Sequence, residues 1–129
     1  MDKAISYLRI LFHILTLLLI ILSLYPGSIL GFLLYGDFRL QPQITKDFLY
    51  ISSQHLYVYG LVATLGFFSY LRDKKFKLVV IYLFFLSIIL EVLHLVISER
   101  SFQTSDLASN ILGVLIAYIV VLIYKFWKK

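Results

Sequence analysis

The sequence predicts an all-α protein, a bundle of four transmembrane helices, and three observations carry that expectation. Of its 129 residues, 61% are hydrophobic and only 15% are charged, too few charges to cover a water-soluble domain of this size. The mean hydropathy is +0.93. The apolar residues also fall into four stretches, each approaching the roughly 20 residues that cross a hydrocarbon core of about 30 Å. Lipid offers the backbone no hydrogen-bond partner, so each stretch should close its own bonds as a helix. The length suits a single domain over residues 1–129, with no tandem repeat or low-complexity tract to divide it.

The first helix is expected over about residues 7–25, ended by Pro26-Gly27, where proline stops a helix and glycine permits a turn. The basic start and apolar run resemble a signal peptide, but no small-x-small cleavage site follows Leu24, so an uncleaved first helix is expected. A long connection, 26–47, then contains an apolar piece at 29–35 that is too short to span and reads as an interfacial segment. The second helix is expected at about 48–71, the third at 78–98 and the fourth at 107–126. The fourth is rich in Ile and Val, a strand-like composition in water that lipid overrides.

Charge placement predicts the orientation. Nine of the twelve basic residues lie at the N-terminus, in the 72–77 turn and at the C-terminus. Positive residues favour the cytoplasmic side, so both termini and that turn are expected inside, in a multi-pass protein of the plasma membrane. Aromatic residues agree: Tyr7, Tyr70, Tyr82, Tyr124 and Trp127 fall near the inner boundary, and Tyr25, Tyr35 and Tyr50 near the outer one. The net charge of +5 is therefore a topology signal, and nucleic acid is not an expected partner. With no cysteine, disulfides and thiolate chemistry are excluded.

Polar residues inside the apolar stretches are the candidates for function. Glu91 and His94 are three apart on helix 3 and share a face. On helix 4, Asp106, Asn110, Gly113 and Ala117 form a stripe running from polar to small, and on helix 2 His55 and Tyr59 are four apart. At about 1.5 Å of rise per residue, His55 and Glu91 each lie about 10 Å below their helix ends and His94 about 6 Å. These groups converge at one depth in the outer leaflet, beneath the loop carrying Arg100. Ionisable groups in lipid are costly and face the bundle interior or a wet cavity, so a single cluster is expected.

Taken together these spacings resemble the VanZ-like family. Its pattern reads E-x-x-Q, then P-G-R, then D-x-x-x-N-x-x-G. Here Glu91, Arg100, Asp106, Asn110 and Gly113 stand at the corresponding spacings. His55-x-x-x-Tyr59 matches its second-helix pattern, and Ser23-Leu24-Tyr25-Pro26 the close of its first helix. His94 replaces the family's Gln, and Ser98-Glu99 stands where Pro-Gly usually precedes the Arg. The resemblance implies a membrane protein of the cell envelope, in a family whose namesake is associated with teicoplanin resistance.

Bland and functional readings stand side by side for the cluster. Glu91, Arg100 and Asp106 can simply pair with one another and fix helix 3 against helix 4. Arg100 and Asp106, flanking a five-residue segment, are expected to pair at its mouth. His55 and His94 can be interhelical hydrogen-bond donors, while Gly113 and Ala117 let helices approach closely. His13 lies near the inner boundary and is expected to pack. A metal on His55, Glu91 and His94 has acceptable ligand chemistry but no motif such as HExxH, and no metal or cofactor is expected. Functionally, His55, Tyr59, Glu91, His94, Arg100, Asp106 and Asn110 are the expected polar site for an envelope lipid, a lipid-linked or peptidoglycan-related ligand, or a protein partner. The alternative is an intramembrane enzyme on a lipid-linked precursor, with Glu91 as acid or base and Arg100 holding an anionic head group. A small-molecule exporter is a third class, but it needs an acid open to both sides, and this cluster lies near one face.

Overall fold

In the computed structural model, which describes residues 2–129, the chain is helical, with no strand among the described residues. Helix α1, Lys3–Leu24, starts at Asp2, whose carboxylate accepts the Ala4 N–H at 3.2 Å. It ends as Tyr25 turns extended ahead of Pro26. The short apolar piece forms α2, Ile29–Tyr35, capped by Ser28 Oγ on the Gly31 N–H at 2.9 Å. Gly36 closes it with a φ of 70°, a left-handed turn that glycine adopts without steric cost. The remaining helices are α3 (Ser53–Ser69), α4 (Phe76–Val92) and α5 (Thr104–Trp127), and a 3-10 turn at Leu93–Leu95 extends α4.

Three of these are long and apolar enough to cross a membrane: α1, α4 with its 3-10 extension, and α5. Helix α3 has 17 residues. Its start differs from the expected position near residue 48: Phe48 and Ile51 form an isolated bridge, with Leu49 at a φ of 55° between them. Asp47 then accepts the Ser53 N–H at 3.1 Å, which fixes where helical pairing begins. The third helix stops short of residue 98, because α4 tightens into the 3-10 turn and the chain reverses at Glu99, whose φ is 62°. The fourth begins three residues earlier than expected, at Thr104. Polar Thr104, Ser105 and Asp106 lower the hydropathy there, yet an acid in a first turn favours the helix by facing its positive end.

The outer surface differs from that of a protein in water. Ser53, Ser69, Ser87, Glu91, Ser109 and Asn110 are buried, while Ile10, Ile14, Leu17, Ile21, Ile81 and Phe85 face outward. Polar groups inside and aliphatic groups outside are what a lipid solvent selects. Phe12, Phe67, Leu83, Val114 and Val121 fill the centre.

The broadest contact joins α3 to α5. A Cβ on Gly113 would lie 2.7 Å from the Leu56 carbonyl oxygen and 2.9 Å from Gly60 N, so only glycine admits this approach. Ala117, one turn on, is buried. At the end of the bundle holding the 72–77 turn, Arg9 bonds the Asp73 carboxylate at 2.7 Å and the Ser69 carbonyl at 2.9 Å. His13 Nε2 pairs with the Tyr70 hydroxyl at 2.9 Å, so His13 packs at this end. The Lys75 N–H on its carboxylate, and Arg9 beside it, hold Asp73 below the usual carboxylate range.

Candidate functional site

The opposite end gathers the ionisable residues. Asn110 lies on the inner face of α5, 1% exposed. Its amide N–H donates to the Ser87 carbonyl of α4 at 3.3 Å, which turns its Oδ1 toward His55 on α3. That oxygen lies 2.8 Å from His55 Nδ1. Because a carbonyl oxygen only accepts, Nδ1 carries the proton, and in the neutral ring Nε2 presents a lone pair. This Nε2 stands 3.6 Å from Asp106 Oδ2, too far for a hydrogen bond.

Glu91, near the end of α4, is 1% exposed. Its Oε1 accepts the Gln103 N–H at 3.1 Å and lies 3.3 Å from His94 Nδ1. Its Oε2 is fully buried with no hydrogen-bond partner among the described residues. A buried carboxylate oxygen without a donor is costly. His94 belongs to the 3-10 turn rather than to a continuous helix, and its Nε2 donates to the Ser23 carbonyl at the end of α1 at 2.9 Å.

Arg100 does not pair with Asp106. Its Nη2 donates to the carbonyls of Leu22 at 2.6 Å and Gly27 at 2.7 Å, and its Nε to that of Tyr25 at 3.1 Å. The end of α1 leaves carbonyls without helical partners, and a forked guanidinium satisfies several of them at once. Asp106 is left to face His55. The expected triad of Glu91, Arg100 and Asp106 is thus replaced by two arrangements: Arg100 on the α1 terminus, and Glu91 with His55 and Asp106 inside. Within that inner group, one ligand atom from each of the three residues lies within 4.8 Å of the others.

Tyr59 lies a turn below His55, buried in the core. Above the cluster is a cavity of about 370 Å³, lined in part by Arg39, Gln43, His55, His94, Arg100 and Asp106. Several participants escaped the reading of the sequence. Gln103 acts through its backbone N–H, and Ser23 through its carbonyl, so neither side chain carries a signal. Ser109 accepts the Ser52 N–H at 2.7 Å and donates to Ser105, tying the start of α3 to α5. Its place one residue before Asn110 was the available clue.

An outward-facing apolar belt, three membrane-length helices and a buried ionisable cluster define an integral membrane protein. The chain belongs to the VanZ/LLP1 family, whose model matches residues 7–126. No curated protein and no solved structure matches it.

Proposed function

We propose that this protein is a single-domain, multi-pass protein of the plasma membrane that binds the anionic head group of an envelope lipid or a lipid-linked cell-wall precursor. Helix α3 crosses together with α1, α4 and α5, both termini lie inside, and α2 rests at the outer interface. The concentration of basic residues at the termini and the 72–77 turn supports this orientation.

The observation that carries the ligand reading is Arg100. Neutral carbonyls satisfy its hydrogen bonds and no carboxylate forms an ion pair with it among the described residues. Its full positive charge therefore remains at the rim of a cavity large enough for a phosphate and part of a sugar. The association of the family's namesake with teicoplanin resistance extends the reading: a protein holding such a precursor would alter glycopeptide susceptibility.

The test is native mass spectrometry and lipidomics of protein purified from membranes in mild detergent. Phosphate-bearing envelope lipids should co-purify with the wild type and be depleted in Arg100→Gln. Equal recovery from the two proteins would remove the ligand reading. Topology is tested separately with single cysteines: those at Lys75 and Lys129 should resist an impermeant maleimide in intact cells, while one at Gln41 or Gln103 should label. An enzymatic reading has one specific support, the unpartnered Glu91 Oε2, which could hold a proton for transfer to a bound substrate.

A further inference from the structure

We infer that the floor of the cavity is a site for one divalent transition-metal ion, Zn²⁺ or Mn²⁺, held by His55 Nε2, Asp106 and Glu91. The inference does not rest on the lipid-binding reading, since it would stand with the cavity above it empty.

Three features support it independently. The first is convergence: one ligand atom from each of the three residues lies within 4.8 Å of the others, on three different helices. Ligands of a tetrahedral ion with bonds of about 2.1 Å stand about 3.4 Å apart, and His55 Nε2 is already 3.6 Å from Asp106 Oδ2. The second is the tautomer. The Asn110 carbonyl oxygen, oriented by the amide bond to Ser87, takes the proton of His55 Nδ1 and turns the Nε2 lone pair toward a carboxylate. A ligating histidine is ordinarily held in this way, its second nitrogen donating to an oxygen. The third is Glu91 Oε2, buried and without a donor, while its partner oxygen is engaged by the Gln103 N–H.

Among the described residues Glu91 Oε2 has no donor, and His55 Nε2 and Asp106 Oδ2 face each other without a hydrogen bond. The guanidinium of Arg100 is directed instead at carbonyls of α1. Two carboxylates and an imidazole acceptor converging inside a bundle repel one another unless a cation lies among them. One nitrogen and two carboxylate oxygens match zinc and manganese better than Cu(I) or iron–sulfur chemistry, which favour softer ligands. His55 and Asp106 also line the cavity, so a fourth position is open to water or to a phosphoryl oxygen. Such an open position is the mark of a reactive or exchangeable site rather than a closed structural one.

The experiment uses the full chain, purified in detergent through a tag without histidine and stripped with EDTA. Zn²⁺ and Mn²⁺ are titrated calorimetrically, and bound metal is counted by mass spectrometry. We expect one ion per chain. His55→Gln and Asp106→Asn should each weaken binding by roughly tenfold or more, and Asn110→Leu, which removes the acceptor that orients His55, by roughly tenfold. His13→Gln, at the far end of the bundle, should bind as the wild type does. Circular dichroism of the stripped proteins separates lost ligation from lost folding, and if Asp106→Asn does not fold, His55→Gln decides. The proposal is overturned if neither metal binds, or if binding survives unchanged in a folded His55→Gln protein.

Discussion

The two ends of the bundle hold similar residues in opposite electrostatic states. At the end with the 72–77 turn, Arg9 meets Asp73 and His13 meets Tyr70, so donors and acceptors are matched. At the other end, Glu91, Asp106 and His55 converge, Glu91 Oε2 has no donor among the described residues, and Arg100 spends its donors on backbone carbonyls. A matched end needs nothing further to be stable. An end with unspent acceptors has either a cost to bear or a ligand to receive, which is why function is sought there.

The sharpest way to break the comparison is at Glu91. Glu91→Leu removes the acceptor for the Gln103 N–H and the partner of His94, and should prevent accumulation in the membrane. A buried donor left without its acceptor costs about 1–3 kcal/mol. Glu91→Gln keeps an acceptor for Gln103 but neither ionises nor exchanges a proton. It should accumulate on immunoblots yet fail to complement a deletion strain. A fully active Glu91→Gln protein would reduce this end to a scaffold like the other.

Next in size is Gly113, where the α3–α5 approach leaves no space for a side chain. Gly113→Leu should destabilise the protein by about 1–3 kcal/mol through overpacking, read from unfolding in mixed micelles. A smaller and more diagnostic effect concerns Arg100 and Asp106. Since they do not pair, Asp106→Arg should not rescue the defect of Arg100→Glu, read from the amount of each protein that accumulates in the membrane. Rescue in the double variant would restore the ion pair expected from the sequence.

The smallest effect belongs to the matched end. The Asp73 carboxyl is held below its ordinary range, first by the Lys75 N–H and then by Arg9. A depressed folded-state pKa contributes stability above the unfolded value of about 3.9 and loses it as pH falls through the folded one. Asp73→Asn should therefore lower the melting temperature slightly at neutral pH, with the difference from wild type vanishing in strong acid. A difference that grows on acidification would contradict the assignment.

How much of this was legible depended on which part of each residue acts. Hydropathy located every long helix, because the solvent selects the whole stretch. The helix ends were hidden, because they are set by single contacts: Asp47 on the Ser53 N–H, and the turn at Glu99. In the site, His55, Glu91, Asp106 and Asn110 were visible as polar side chains at helical spacing. The partners of Arg100 were not, since they are the carbonyls of Leu22, Tyr25 and Gly27, and a carbonyl leaves no trace in the sequence. Opposite charges six residues apart suggested a pair, but the unfilled end of α1 offered the guanidinium three acceptors together.

The close seam between α3 and α5 has a mechanical consequence. His55 stands five residues before Gly60, and Asp106 seven before Gly113, so both are mounted on the two helices whose backbones nearly touch. Glu91 arrives from α4, whose contact with α5 is narrower. Two of the three converging groups therefore ride one rigid block, while the third is carried on a separate arm. Rolling α4 about its own axis would withdraw Glu91 and leave the spacing of the other two unchanged. An ion held as proposed would have two ligands fixed by the α3–α5 seam and a third placed by how α4 leans against it.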